Sequence, residues 1–266
     1  MRTITLCKSV HHKLRIALHG DIMEIDLVMI DLDGTLGIFK SHMDLPEFLL
    51  ALYSRALASA FNKDEFFIRK VLLKVVSQLK SNPPLKITIA EAMFEMISSA
   101  LGVSRKSLEE VTDKFYMTDF NVIQKYYKPA PKVKEVLSEL FNMETKVAIA
   151  TDPLVRKVGV LKRMEWIGIN KFPYCFVSNA DECHAAKPHP SFYEEILQRC
   201  NSEPSKAVMV GDKILNDVIP AKKLGILTIY MNRGEKEKTE DPHYTIRNLP
   251  ELLNILEKLI LRKRRF

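Results

Sequence analysis

The chain has 266 residues, enough for one large domain or for a domain that carries an insertion. Apolar residues make up 47% and charged residues 27%, as in ordinary globular proteins, and no apolar run approaches the ~20 residues that cross a bilayer. The net charge of +7 suggests nucleic-acid binding, but nine of the 40 basic residues lie in segments 1–20 and 258–266, which contain no acid. The rest of the chain is slightly acidic, which argues against a nucleic-acid partner. From the lack of a long apolar run we expect no membrane partner.

The N-terminal residues 1–22 are basic and lack the apolar core of a secretory signal. A transit peptide, an extra edge strand and an extension upstream of the natural start all fit this composition. We interpret the segment as a basic, poorly packed N-terminal extension.

The four cysteines (Cys7, Cys175, Cys183 and Cys200) are irregularly spaced and form no C-x-x-C pair. Zinc bound by the last three together with His184 is an alternative, although the spacing matches no usual zinc site. We therefore expect reduced thiols and a cytoplasmic protein.

The first predicted strand is the apolar run 27–30, which reads as a strand buried on both faces. It ends in Asp31, Asp33, Gly34 and Thr35. Two carboxylates so close together repel each other unless one is protonated or both share a cation, and Mg²⁺ suits such oxygen ligands. An ordinary Asp-Gly turn after a strand is the alternative.

Residues 38–127 differ from the rest of the chain because their apolar residues recur at helical spacing. We predict an all-helical insertion of four helices, too many for a simple crossover between neighbouring strands. One helix is expected over 88–101 and another over 107–117, where Ser107 and Glu110 have the spacing of a capping box.

From residue 128 onward, strand and helix patterns alternate. Strands are predicted at 146–150, 176–177, 207–210 and 226–229. One helix is predicted to begin at Pro131, a second at Pro190, and a final helix is predicted over 249–261. This alternation predicts an α/β fold in which a parallel sheet is covered by helices on both faces.

Polar residues follow three of these later strands. Thr151 ends one strand, and Asp152 with Pro153 is expected to cap the next helix and open its first turn, which would make a phosphate cradle. Lys187 lies between small residues and prolines, and Asp212 precedes Asp217 by five positions. Taken singly, Thr151 and Asp212 can be helix caps and Lys187 a surface lysine.

Taken together and in this order, the clusters resemble the four motifs of the haloacid dehalogenase-like superfamily: Asp-x-Asp-Gly-Thr, a strand-ending Thr, a Lys, and Gly-Asp-x-x-x-x-Asp. The resemblance covers residues 24–37 and 128–247. Within the superfamily, the chain looks similar to the phosphoglycolate phosphatase branch. It implies a Rossmann-like core over 23–37 and 128–266. Residues 38–127 would then be the helical class-one cap.

The resemblance also implies a role for each motif residue. Asp31 would be the nucleophile and Asp33 the general acid and base. Mg²⁺ would bind the Asp31 carboxylate, the Asp33 main-chain carbonyl and Asp212. Thr151 and Lys187 would hold the substrate phosphate, and Asp217 would orient Lys187 or a metal-bound water.

The acid Asp33 favours hydrolysis of phosphate esters over dehalogenation, because a halide leaves without a proton. The sequence thus predicts a Mg²⁺-dependent phosphatase for a small phosphorylated metabolite. A phosphomutase acting on a sugar phosphate stays open, as does, less favoured, a non-catalytic binding module. Neither the substrate nor the oligomeric state follows from the sequence.

Overall fold

The computed structural model describes residues 25–143, 145–234 and 242–260, and within them the largest sheet has six parallel strands. In chain order the strands are β1 (Leu27–Ile30), β4 (Lys146–Ile149), β5 (Phe176–Val177), β6 (Ala207–Gly211), β7 (Leu227–Met231) and β8 (Tyr244–Ile246). Their order across the sheet is β5, β4, β1, β6, β7, β8. The predicted Rossmann-like α/β fold class is therefore confirmed.

The central strand β1 is buried on both faces, as its apolar run predicts. Val28 and Ile30 belong to the core on one side of the sheet, and Leu27 and Met29 to the core on the other. β1 lies between β4 and β6, with Ile30 opposite Ile149 on one side and Val210 on the other. This register brings the residues that follow the three strands to the same sheet edge.

Helices cover both faces of this sheet. One core contains buried residues of α5 (Val133–Asn142), α6 (Lys157–Trp166) and α9 (Leu249–Ile260). The other contains residues of α7 (Pro190–Arg199) and α8 (Ile219–Lys223). Short 3₁₀ turns span Asp119–Lys125 and Pro204–Lys206, and a π-helical turn spans Ile214–Val218.

Four helices lie between the short strands β2 (Gly37–Phe39) and β3 (Tyr127–Pro129), which pair antiparallel. They are α1 (Leu45–Phe61), α2 (Glu65–Ser81), α3 (Ile89–Leu101) and α4 (Arg105–Met117). They share an apolar cluster that includes Leu57, Leu72 and Ile97.

The capping box predicted at Ser107 and Glu110 is wrong. Ser104 caps α4, because its extended backbone places its hydroxyl where it accepts a hydrogen bond from the Ser107 amide. A capping box is found at α3 instead, where Thr88 and Glu91 bond each other's backbone amides.

The prediction of reduced thiols is wrong for two cysteines. Cys175, just before β5, and Cys200, just after α7, form a disulfide with a Cα–Cα distance of 5.5 Å, and Cys183 is free and buried. The pairing depends on the fold placing the start of β5 beside the end of α7, which the sequence spacing does not reveal. It also rules out the zinc alternative in the structure, since two of the proposed ligands are bonded to each other.

None of the helices in the described part of the chain is long and apolar enough to cross a membrane. The predicted N-terminal extension, residues 1–22, lies outside the described residues, as does most of the basic segment 258–266.

Candidate active site

The four predicted clusters meet at the carboxyl edge of the sheet. Asp31 follows β1, Thr151 comes two residues after β4, and Asp212 follows β6. Lys187 reaches the same place from the loop between β5 and α7. Asp31, Thr151 and Lys187 are all buried.

Lys187 joins two of the predicted acids. Its ammonium donates to Asp31 Oδ1 at 2.8 Å and to Asp217 Oδ1 at 2.6 Å. Burial lowers the pKa of Lys187, but Asp217 and Asp31 raise it more, so the net pKa lies well above the ordinary value and the side chain is a cation. Its positive charge offsets the cost of burying Asp31, whose pKa is raised well above the ordinary value, chiefly by burial.

Both oxygens of Asp217 already accept a hydrogen bond. Oδ1 accepts from Lys187, and Oδ2 accepts from the Lys213 main-chain amide at 2.9 Å. Asp217 thus contacts Lys187, one of the two groups that it was predicted to orient, the other being a metal-bound water.

The carboxylates at this sheet edge offer oxygen atoms of the kind that Mg²⁺ prefers. Ligand atoms of Asp31, Asp212 and Asp217 lie within 4.8 Å of one another, and Asp212 Oδ1 is buried without a hydrogen-bond partner. Burial, with repulsion from Asp217, raises the pKa of Asp212 to about 6. A divalent cation would relieve both the repulsion and the unpartnered oxygen, so the residues present fit the predicted metal.

Gly34 allows the turn after β1 to approach the Asp212 carboxylate closely. Its φ of +98° lies in the left-handed region, and a Cβ there would overlap the Asp212 carboxylate. The turn after β1 therefore lets the main chain of the first motif lie against the acid of the fourth.

Asp33 is held from both sides. Tyr127 donates its hydroxyl to Oδ1 at 2.7 Å, while Oδ2 accepts from the Arg163 guanidinium and, at 3.3 Å, from the Thr151 hydroxyl. Burial lowers the pKa of Arg163, but the Asp33 charge and Tyr127 raise it more, so its net pKa is raised. The side chain of Arg163 is only 2% exposed, so Asp33 supplies the counter-ion for a buried cation.

Neither Arg163 nor Tyr127 was predicted from the sequence. The available signal is that Arg163 falls on the buried face of α6 beside Val160, Met164 and Ile167, where an apolar residue is expected. A charged residue at such a position indicates a buried partner but does not say which one. Tyr127 has no comparable signal, because a buried aromatic residue is ordinary.

The predicted helix start at Asp152 and Pro153 is wrong. Helix α6 begins at Lys157, and Asp152 accepts instead from Lys80 of α2 at 2.6 Å. The phosphate cradle predicted from the first amides of a helix directly after Thr151 is therefore not formed. What remains at this position is the Thr151 hydroxyl, close to Asp33.

The family model described as haloacid dehalogenase-like hydrolase matches residues 25–225. The chain belongs to this family. The haloacid dehalogenase-like resemblance of the four motifs is thereby confirmed.

Several curated relatives of this hydrolase are phosphatases by name. Glyceraldehyde 3-phosphate phosphatase of Methanocaldococcus jannaschii is 27% identical over 87% of this chain and 97% of its own length. Phosphoglycolate phosphatase of Vibrio vulnificus is 26% identical over 88% of this chain and 96% of its own length. The prediction of a family enzyme of the phosphatase type is confirmed at this level.

Solved structures share the fold. The HAD phosphatase of Thermococcus onnurineus superimposes with a TM-score of 0.57 at 21% identity, covering 88% of this chain and 98% of that one. A 2-haloacid dehalogenase from Pseudomonas syringae gives a TM-score of 0.57 at 22% identity, over 88% and 99% of the two chains. Because phosphatases and dehalogenases both match, the fold alone does not select the reaction.

Proposed function

We propose that this hydrolase is a Mg²⁺-dependent phosphatase that removes phosphate from a small phosphorylated metabolite through an aspartyl-phosphate on Asp31. The observation that carries the proposal is a second carboxylate, Asp33, two residues after Asp31 and within 3.3 Å of the Thr151 hydroxyl. An ester leaving group needs a proton, which Asp33 can supply, whereas a halide does not.

In the first half-reaction, a carboxylate oxygen of Asp31 attacks phosphorus, and the bond from phosphorus to the ester oxygen breaks. The electron pair of that bond goes to the leaving oxygen, which takes a proton from Asp33. Lys187 and Thr151 hold the phosphoryl oxygens, and Lys187 balances part of the negative charge.

In the second half-reaction, Asp33 takes a proton from a water molecule as the water oxygen attacks phosphorus. The bond between phosphorus and Asp31 breaks, its electron pair returns to the carboxylate, and inorganic phosphate leaves. Arg163 and Tyr127 hold the carboxyl group of Asp33 in place for this step.

Asp31, Asp212 and the Asp33 main-chain carbonyl would hold Mg²⁺, which when bound neutralises charge on the phosphoryl group. Asp217 would act through Lys187.

The cap is the proposed source of substrate selection. The strand-end residues account for the phosphoryl group alone, so the rest of the substrate must be recognised elsewhere, and we assign this to residues 38–127 above the sheet edge. The substrates named for the relatives, glyceraldehyde 3-phosphate and phosphoglycolate, agree with a small phosphorylated metabolite here. A cytoplasmic location is part of the proposal, as such metabolites are expected there.

The test is phosphate release from a panel of phosphate esters, with Mg²⁺ and with EDTA. We expect Mg²⁺-dependent release that Asp31→Asn abolishes and that Asp119→Asn, a change of the same chemistry at an exposed cap position, leaves intact. Folded wild-type protein that releases no phosphate from any ester would refute the proposal.

A phosphomutase is the second candidate, because it uses the same two acids. It is distinguished by transfer of phosphate to a sugar phosphate without net release. Steeply salt-dependent nucleic-acid binding by a catalytically silent protein, lost on removing residues 258–266, would instead favour a binding module.

A further inference from the structure

The chain passes between the core and the cap through one small antiparallel ribbon. Gly37 pairs with Pro129 and Phe39 with Tyr127, and the Lys40 amide extends the pairing by donating to Tyr126 O at 2.9 Å. We call residues 37–40 and 126–129 the hinge ribbon. The chain enters the four cap helices from one strand of this ribbon and returns to the core through the other.

The loop that bears the predicted general acid closes directly on this hinge ribbon. The Gly34 amide donates to Gly37 O at 2.7 Å, and the Ala130 amide donates to Leu36 O at 2.9 Å. Asp33 itself forms an isolated bridge with Gly37. The backbone of the acid is thus fixed to the first strand of the ribbon.

The side chain of Asp33 is fixed to the second strand, through Tyr127. The hydroxyl of this buried tyrosine donates to Asp33 Oδ1 at 2.7 Å. The path of the hydroxyl runs across Gly37, where a Cβ would overlap the phenol ring, so the ribbon requires glycine at that position. Burial, then the charge of Asp33, raises the pKa of Tyr127 well above its ordinary value, so its proton stays available for this bond.

The neighbouring tyrosine supplies an internal comparison. Tyr126 is 37% exposed and packs its ring against Phe39 and Phe48, at centroid distances of 6.0 and 5.5 Å. The two adjacent tyrosines therefore face different surroundings, and only Tyr127 faces the acid.

We propose that Tyr127 is a positioning residue that ties the carboxyl group of the general acid, Asp33, to the strand on which the cap returns to the core. The acid is then aimed by the same ribbon that sets the cap position. This inference rests on the proposed function for its catalytic part, since Asp33 acts as an acid only if the substrate is a phosphate ester.

The kinetic test compares Tyr127→Phe with the matched control Tyr126→Phe on an alkyl phosphate and on p-nitrophenyl phosphate. The alkyl ester needs protonation of its leaving oxygen, whereas the activated aryl ester needs little. Tyr127→Phe is expected to lower kcat for the alkyl ester roughly 10-fold or more, with little change for the aryl ester and in KM. Equal losses for both esters, or the same losses in Tyr126→Phe, would overturn the proposal.

A second measurement needs no activity. In a double-mutant cycle of denaturant unfolding, Tyr127→Phe is combined with Asp33→Ala, and Tyr126→Phe with Asp33→Ala serves as the control. We expect Tyr127→Phe to lower stability less once Asp33 is gone, while Tyr126→Phe is additive with it. If the effects of Tyr127→Phe and Asp33→Ala on stability are additive, the proposed coupling between Tyr127 and Asp33 is overturned. A wild-type protein without phosphatase activity would refute the proposed function, while this cycle would still decide whether Tyr127 holds Asp33.

Discussion

Replacing Asp33 by asparagine removes the counter-ion of a buried guanidinium. The Arg163 side chain is 2% exposed and that of Asp33 26% exposed, and Arg163 Nη2 is buried without a partner even in the intact site. Removing one partner of a fully buried pair costs about 3–5 kcal/mol. The partial exposure of Asp33 and the carbonyl that asparagine keeps reduce this loss, so we expect about 2–3 kcal/mol.

The preceding acid gives a matched comparison. Asp31 is also buried, but it is crowded by other carboxylates, and after Asp31→Asn the ammonium of Lys187 keeps its contact with Asp217. We expect that variant to change the free energy of unfolding by at most about 1 kcal/mol, because the lost ion pair is offset by the relief of repulsion between acids.

The assay is urea unfolding followed by circular dichroism in EDTA, for wild-type, Asp31→Asn and Asp33→Asn protein, each also in an Arg163→Met background. In that background Asp33→Asn should cost little, since no buried cation remains to be orphaned. Equal stability of wild-type and Asp33→Asn protein, or an undiminished loss without Arg163, would refute the ion-pair reasoning.

Three further outcomes are expected. Cys200→Ser should lower the free energy of unfolding by about 3 kcal/mol, because the disulfide to Cys175 closes a loop of 25 residues, and reductant should then have no further effect. In EDTA, the pKa of Asp212 rises from 3.8 to about 6 on folding, so the folded state binds the Asp212 proton more tightly than the unfolded state does. The protonated Asp212 therefore contributes about 3 kcal/mol to stability at low pH, and this contribution is lost as pH rises from about 4 through about 6. The decrease in the free energy of unfolding from pH 4 to pH 7 should be smaller for Asp212→Asn than for wild-type protein, and an identical decrease would contradict this. Replacing residues 41–126 by a short Gly/Ser linker should leave Mg²⁺ binding but remove discrimination among esters in kcat/KM, and an unchanged order of preference would place specificity in the core.

Much of the fold follows from local sequence patterns. The strand 27–30 is apolar throughout because both of its faces are buried, and the polar residues after it stand out for the same reason. Since the ends of parallel strands share one edge, the order of the motifs is enough to predict that Asp31, Thr151 and Asp212 lie together.

The features of the site that the sequence did not reveal depend on contacts between residues distant along the chain. Arg163 lies 130 residues from Asp33, and Tyr127 lies 94 residues from it. Asp152 has the residue type and position of a helix cap, but tertiary pairing with Lys80 takes its side chain. Local propensity has no access to such partners.

The most direct test of the central claim is detection of the phosphoryl group on Asp31. Asp33→Asn protein is mixed with p-nitrophenyl phosphate and Mg²⁺, quenched in acid, and its peptides are weighed by mass spectrometry. This variant should form the intermediate from an activated ester yet hydrolyse it slowly, since the base that activates water is missing. A phosphoryl group on the peptide that contains Asp31, absent in the Asp31→Asn/Asp33→Asn double variant, is the predicted result. Phosphate release by wild-type protein that persists in Asp31→Asn protein would contradict the account.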